Sequence, residues 1–483
     1  MNNFAPPLAS AHDLGLPSFV GAALAAGSGA ADIADVRAWL DDYGTRSQMR
    51  VERIPLDAME GWYRAPDGGD IRHRSGRFFS VEGLEVLRPD GPVPHWNQPI
   101  INQPEVGILG VLMRRFDGVP RFLLQAKAEP GNAGGLQLSP TVQATRSNYT
   151  RVHQGRPVPY LGYFQDTSPH RVISDIRQSE QGSWFLCKRN RNMVVEVTED
   201  VPVADGFRWF SLPQIHRLLA VDDLVNMDAR TVLSCLPFAG GVPCGAIDGD
   251  GLHAALLRSC RPDAALHSNG EILSWITSAR SMSTLRARSR PLDSLPDWRF
   301  ADGRITHERG AFFDIIGVGV EAEGREVAHW SQPMLEPRAE GVIAFVVRRV
   351  AGVLHALVRI HHEPGYVDEA ELAPTVQTTP ANLEHLPPSA HPDLLDQVLD
   401  AAPSRILFDT VLSEEGGRFH HARNRYLVVE AEADDDPLEA VRDPGQFRWM
   451  TLYQLSELLR HSHYLNVQAR TLVACTRSLL TRP

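Results

Sequence analysis

The sequence predicts an α+β protein built from two tandem copies of one unit, each a mixed sheet with helices packed against it. Three observations carry that expectation. The chain repeats itself: Trp96-Asn97-Gln98-Pro99 returns as Trp330-Ser331-Gln332-Pro333, and 330 − 96 = 234. The same step carries Glu129-Pro130-Gly131 onto Glu363-Pro364-Gly365, Pro140-Thr141-Val142-Gln143 onto Pro374-Thr375-Val376-Gln377, and Arg189-Asn190-Arg191 onto Arg423-Asn424-Arg425. Within each copy, strand-like runs alternate with helical patterns, the order expected of sheets covered by helices. Finally, 483 residues suffice for two or three cores, and 43% hydrophobic with 22% charged residues is ordinary for a globular chain.

Taken in order, residues 1–30 read as an N-terminal arm. Residues 19–31 are apolar but too short to span a bilayer, and the first basic residue is Arg37, so a mobile arm or a partner-docking strip is expected. The first copy covers residues 31–240 and the second 252–483, divided by a stretch punctuated with Gly240-Gly241, Pro243 and Gly249. Each copy opens with a short helix ending near Trp39 or Trp275, and Ser268 with Glu271 forms a capping box for the second. Residues 107–116 and 121–127 read as strands joined at Asp117-Gly118, repeated at 341–349 and 354–360. A loop and helix should then run from the Glu-Pro-Gly turn through Pro-Thr-Val-Gln to Asp175 or Asp409. A strand pair follows at about residues 184–197 and 419–431, with Arg-Asn-Arg in its turn. Each copy closes on a strand end at Trp209 or Trp449 and a helix carrying Asn-x-x-Ala-Arg-Thr, from Asn226 and Asn466.

Net charge is 48 − 59 = −11 with no basic run to offset it, which argues against general nucleic-acid binding. The five cysteines form no Cys-x-x-Cys pair, so reduced thiols in a cytoplasmic setting are expected, with Cys235 and Cys475 as buried apolar groups. The chain has no glycine-rich dinucleotide or triphosphate cradle and no His-Glu-x-x-His. His361-His362 and His420-His421 would place two rings on opposite faces of a strand, a poor start for one metal. No metal or cofactor is expected.

Chemistry-bearing residues are densest at 127–153: Lys127, Glu129, Gln137, Ser139, Thr141, Gln143, Arg146, Asn148, Tyr149 and His153. A polar loop is equally compatible with simple solvation. The second copy is informative, because it keeps Glu363, Thr375, Gln377 and Asn382 but has His361 for Lys127, Ala373 for Ser139, Pro380 for Arg146 and Leu383 for Tyr149. His153 falls opposite Pro387. Shared residues read as scaffold or common ligand contacts, and most lost ones are proton donors and acceptors. Lys188, Arg189 and Arg191 suit a diphosphate, since guanidinium forks match phosphate oxygens; a structural ion pair with Asp175, Glu180 or Glu196 explains them equally. Trp96 could stack on a base or fill the core.

With these residues the chain resembles the NDP-hexose 2,3-dehydratases of deoxysugar biosynthesis. The resemblance is carried by Trp96-Asn97-Gln98-Pro99, by the run Leu138 through Tyr149, by Gln178-Ser179-Glu180-Gln181-Gly182 and by Asn226-Met227-Asp228-Ala229-Arg230-Thr231. It implies two Nudix-like domains, each able to form a nucleotide-sugar pocket, in a homodimeric enzyme with no cofactor. It also implies loss of water from dTDP-4-keto-6-deoxy-glucose, giving a 3,4-diketo-2,6-dideoxy sugar that a 3-ketoreductase would consume. The Nudix hydrolase box is broken: residues 409–416 echo its end but lack the Arg-Glu pair. On this reading Tyr149 and His153 shuttle protons, Lys127 or Arg146 steadies an enolate and Glu180 orients a base. Trp96, Gln98, Glu129, Ser139, Thr141, Gln143, Asn148, Lys188, Arg189 and Arg191 bind substrate. Trp330, Glu363, Thr375, Gln377, Arg423 and Arg425 mark a degenerate second pocket. The rivals are a Nudix-type nucleotide-sugar hydrolase and a non-catalytic nucleotide-sugar sensor.

Overall fold

A computed structural model describes residues 19–24, 33–145, 157–238, 247, 249–323, 327–432 and 435–481. Each half forms a seven-stranded sheet. In the first half the order is Arg171–Ser179, Arg189–Val197, Gly107–Phe116, Val119–Ala128 and Phe207–Ser211, with Leu136–Pro140 and Val142–Ala144 added beside the central hairpin. The second half repeats it from Ile406–Ser413 to Phe447–Met450. The strands at the centre, Gly107–Phe116 and Gly341–Val350, bury both faces, so they read as continuous apolar runs rather than alternating ones.

The two halves exchange strands. Met49–Ile54 of the first half pairs with Phe313–Ala322 of the second, and Arg286–Arg290 of the second pairs with Ser80–Leu87 of the first. Each of the two five-stranded sheets is therefore completed by the other half. The large sheets also share one core. Phe122, Leu138 and Val232 join Phe345, Leu372 and Val473 in a single cluster around the helices Met227–Ser234 and Val467–Ser478. The segments 31–240 and 252–483 each contain one seven-stranded sheet, while each five-stranded sheet takes one strand from the other segment.

Several local expectations hold. Ser268 and Glu271 form the capping box of Asn269–Ser281, and Asn226 and Asn466 cap the two central helices. Cys235 and Cys475 are buried. Others change. The helices carrying Trp39 and Trp275, Ile33–Arg46 and Asn269–Ser281, run on past those residues. Pro-Thr-Val-Gln joins two short strands, Leu136–Pro140 and Val142–Ala144, instead of lying in a loop, and the Thr141 hydroxyl in the bend between them bridges the central hairpin, accepting from Leu112 N (2.9 Å) and donating to Leu123 O. Thr375 does the same between Val346 and Leu357. Arg-Asn-Arg begins a strand instead of forming a turn, since Ser179 and Arg189 are already paired. His420 and His421 lie in a bend with their rings stacked at 3.9 Å, not across a strand. The apolar arm is docked at Val20–Leu24: Phe19 is 1% exposed beside Phe122, a burial that contributes about 1.5–3 kcal/mol.

Candidate functional site

The repeated Glu-Pro-Gly turns exist to let the halves touch. Gly131 N donates to Gly416 O (2.7 Å) and His421 N to Gly131 O (2.8 Å); Gly365 N donates to Gly182 O (2.7 Å) and Cys187 N to Gly365 O (2.9 Å). A Cβ on Gly131 would stand 1.7 Å from Phe419 O, and one on Gly365 1.8 Å from Phe185 O. No other residue fits that approach. Each turn carries a glutamate into a cleft walled partly by the opposite half.

Two buried arginines tighten the same junction. Arg470 donates to Ser179 O (2.5 Å), Leu465 O (2.8 Å) and the Thr231 hydroxyl (2.6 Å). Arg230 mirrors it, donating to Ser413 O (2.5 Å), Val225 O (2.6 Å) and Thr471 Oγ1 (3.4 Å). These are the arginines of the two Asn-x-x-Ala-Arg-Thr motifs, and they hold the backbone immediately before Glu180 and Glu414.

In the first half's cleft, Lys127 Nζ donates to Gln143 Oε1 (2.7 Å), and Gln143 Nε2 donates to Glu129 Oε1 (2.7 Å), with Lys127 and Glu129 3.4 Å apart. Glu180 Oε1 accepts from Asn190 Nδ2 (2.7 Å). Lys188 Nζ donates to the Glu105 carbonyl, and burial pulls this lysine down to about 8 against the pull of Glu180. Two groups that the sequence reading passed over complete the cluster. Asp228 sits in the first turn of Met227–Ser234, and Glu415 arrives from the second half with Arg418, whose guanidinium lies over Phe79 and bonds Gln103. Burial, then the Glu180, Glu129 and Glu415 carboxyls, hold Asp228 well above the usual carboxylate range. Burial raises Glu180, and burial with Glu129 and Glu180 nearby pushes Glu415 up to about 7. The signal for both was in the repeat: Asp228 falls opposite Gln468 and Glu415 opposite Gln181. Glu415 was missed because it was read only as part of the broken Nudix-box remnant at residues 409–416.

The second half's cleft is a cavity of about 940 Å³. Glu363 is its counterpart of Glu129, contacted by His361 Nε2 (3.2 Å), Gln377 Nε2 (3.0 Å) and Ser183 N (3.0 Å). Burial and Arg359 hold His361 below its ordinary value, so a neutral ring stands where the first half has a lysine. Glu414 is saturated by Asn424 (2.6 Å), Tyr426 (2.6 Å) and Gln181 (2.6 Å). Arg88, Arg309, Arg359, Arg423 and Arg442 line the walls.

The strand exchange corrects several placements. Trp96 and Gln98, expected in the first pocket, line the second cavity, where Gln98 Nε2 donates to Ser183 O (2.6 Å). Trp330 is bonded to Gln332, which donates to Gly417 O (2.6 Å) beside Glu415, so this pair belongs with the first cleft. Thr141 and Ser139 are structural: Ser139, fully buried, accepts from Asn226 Nδ2 (2.8 Å). Arg191 is forked onto Asp175 (2.6 and 2.5 Å) and Arg425 onto Asp409 (2.8 and 2.6 Å), the ion-pair alternative. Arg189 is partly exposed at the start of its strand, and Arg423, its counterpart, pairs with Asp223 (2.9 Å) at the cavity wall. Arg146, Asn148, Tyr149 and His153 lie outside the described residues. Among the described residues no three His, Cys, Asp or Glu side chains are grouped to hold a metal, and no helix is long and apolar enough to cross a membrane.

Comparison with known proteins matches the chain to a family described as NDP-hexose 2,3-dehydratase, over residues 33–236 and 269–476. Three relatives are each described as dTDP-4-dehydro-6-deoxy-alpha-D-glucopyranose 2,3-dehydratase. The protein from Saccharopolyspora spinosa is 48% identical over 463 residues, 95% of this chain and 94% of the relative. That from Streptomyces violaceoruber is 50% identical over 456 residues (93% and 98%), and that from Amycolatopsis orientalis 45% over 454 residues (93% and 91%).

Proposed function

This chain belongs to the NDP-hexose 2,3-dehydratase family, and we propose that it removes the C2 hydroxyl of dTDP-4-keto-6-deoxy-glucose in the cleft of its first half. The observation that carries the choice of cleft is the asymmetry of ionisable groups. Lys127, Lys188, Asp228 and Glu415 face His361, Ala422, Gln468 and Gln181 at the matching positions.

The C4 ketone acidifies the C3 proton, so a base can lift it and leave an enediolate across C3 and C4. Reforming the ketone moves the electron pair to C2–C3 and breaks the C2–O bond; the hydroxyl leaves as water with an added proton. The remaining C3 enol tautomerises to a ketone. Electrons stay within the sugar, so the reaction as written needs no redox cofactor. Tyr149 and His153 are assigned the proton shuttle, Lys127 the enolate oxygen, Glu180 the orientation of the base, and Arg189 with Lys188 the diphosphate. A positioned acid or base contributes typically about 10²–10⁴-fold and an enolate donor a similar amount.

A Nudix-like ancestry for each half is consistent with the mixed sheet, its parallel pair of Gly107–Phe116 with Arg189–Val197, and the Glu414-Glu415-Gly416 remnant. The same reading includes a homodimer and a downstream 3-ketoreductase that captures the labile product. The second cavity favours a different use. Its five arginines suit a nucleoside diphosphate, while its saturated Glu414 and neutral His361 are poorly placed to move protons. The test is incubation with dTDP-4-keto-6-deoxy-glucose and a 3-ketoreductase, with water loss read by mass. Tyr149→Phe should cut turnover by at least about tenfold. Magnesium-dependent release of a nucleoside monophosphate would instead support a hydrolase, and binding at both clefts without turnover a sensor.

A further inference from the structure

Three buried carboxyl oxygens of the first cleft have no hydrogen-bond partner among the described residues: Glu180 Oε2, Asp228 Oδ1 and Glu415 Oε2. They come from three separate elements: the residue after Arg171–Ser179, the first turn of Met227–Ser234, and the loop after Ile406–Ser413. Glu180 is 2% exposed and Asp228 3%. Leaving a buried charge unpaired costs several kcal/mol, so such groups either hold protons or face something that binds. The mirror cleft resolves which of them matter for more than packing. Its Glu414 has both oxygens bonded, and amides stand at the other two positions, Gln468 for Asp228 and Gln181 for Glu415. An amide keeps nearly the shape and hydrogen-bonding reach of a carboxyl but cannot give up a proton at neutral pH. Substitution of acid by amide at both positions of one cleft separates proton transfer from packing.

We propose that Asp228 and Glu415 together supply the proton taken by the departing C2 hydroxyl, with Glu415 contributed to the first half's cleft by the second half. The inference rests on the dehydratase reading and adds the acid that the sequence did not reveal. Asp228 gives its proton as the C2–O bond breaks, so water leaves and Asp228 becomes a carboxylate. Glu415 then returns a proton to Asp228 and is recharged by the proton that the base took from C3. The charges facing the pair fit this order. Asp228 faces the Glu180, Glu129 and Glu415 carboxyls and Lys127, and burial with those carboxyls holds it well above the usual carboxylate range. Glu415 faces Glu129 and Glu180 against Arg418 and Lys188, and near pH 7 it is poised between its two states. Because Glu415 reaches the cleft only through the junction of Gly131 with residues 416–419, the acid arm exists only when both halves are assembled.

The experiment uses the full chain in D₂O with dTDP-4-keto-6-deoxy-glucose and compares wild type with Asp228→Asn, Glu415→Gln and Glu415→Asp. Two quantities are read: turnover trapped by the 3-ketoreductase, and deuterium entering C3 of the recovered substrate. The expected result is turnover down about 10²-fold in Asp228→Asn and Glu415→Gln, with C3 exchange retained above the enzyme-free rate, because the base still works when the leaving group is no longer assisted. Glu415→Asp should recover at least about tenfold over Glu415→Gln. Turnover within about threefold of wild type in both amide variants would overturn the proposal. So would parallel loss of C3 exchange in variants with wild-type melting temperature and dTDP affinity, since that places the pair in the first proton transfer or in binding. If Asp228→Asn fails to fold, the two Glu415 variants on their partly exposed loop decide alone. A wild-type enzyme that leaves the substrate intact would defeat the dehydratase reading itself, a separate outcome.

Discussion

Replacing Arg470 with Met keeps most of the buried stem and removes the guanidinium that joins the two halves. Arg470 is fully buried and makes three hydrogen bonds, to Ser179 O, Leu465 O and the Thr231 hydroxyl. Bonds from a charged donor contribute about 1.5–3 kcal/mol each, roughly 5–9 kcal/mol in all. Sparing the desolvation of a buried cation returns several kcal/mol, so the net loss should be about 3–5 kcal/mol. For a single cooperative unit of this length, unfolding entropy converts about 1 kcal/mol into 1 °C, which gives a fall in Tm of about 3–5 °C by calorimetry. Arg230→Met should lose about as much, because its bonds are the mirror set. Activity provides a second readout. Arg470 is the largest charge opposing the upward shift of Glu180, so its removal should move the acidic limb of the pH–rate profile to higher pH. A Tm within 1 °C of wild type, or a several-fold difference between the two variants, would refute the view that these arginines hold the junction.

Gly131→Ala should leave little soluble, active enzyme, because its methyl group would overlap Phe419 O; native protein with normal turnover would show that the turn can shift. Glu371 is buried, accepts from the Ser179 hydroxyl (2.6 Å) and is pushed up to about 7 by burial, whereas Gln137 makes the mirror bond with Ser413 (2.9 Å). Its folded value lies above the unfolded one, so its contribution is full below about pH 4.5 and falls by about 3 kcal/mol as pH rises through 7. Glu371→Gln should therefore flatten the fall in Tm between pH 5 and about 8 and raise stability at the upper end; an unchanged slope would count against it. Lys127→Met should lower kcat more than about tenfold while His361→Met changes it less than about threefold, and equal losses would move the chemistry toward the second cleft.

Much of the fold was legible because its signals are local. Gly107–Phe116 and Val119–Ala128 follow from apolar runs around Asp117-Gly118, and the cap of Asn269–Ser281 from Ser268 and Glu271. The strand–bend–strand path around Thr141 was not legible. Its evidence is one hydroxyl bridging the central hairpin, and a Pro-Thr-Val-Gln run is equally compatible with a loop until the partners Leu112 and Leu123 are in place. The site was half legible. Lys127, Gln143 and Glu129 are joined by hydrogen bonds, while Arg191 is engaged by Asp175, a contact that composition could not separate from phosphate binding.

By itself the sequence determined that one unit was duplicated, which family it serves, and that proton-handling side chains differ between the copies. Only the tertiary structure decided which residues share a cleft. Met49–Ile54 and Arg286–Arg290 each add a strand to the other half's five-stranded sheet, and in the folded chain Trp96 lines the second cavity while Glu415 lies near Glu129 and Glu180 of the first half. Periodicity reports how a strand is buried, not which distant strand it will pair with. That choice is made by long-range packing, and in a duplicated chain both partners offer nearly the same edge.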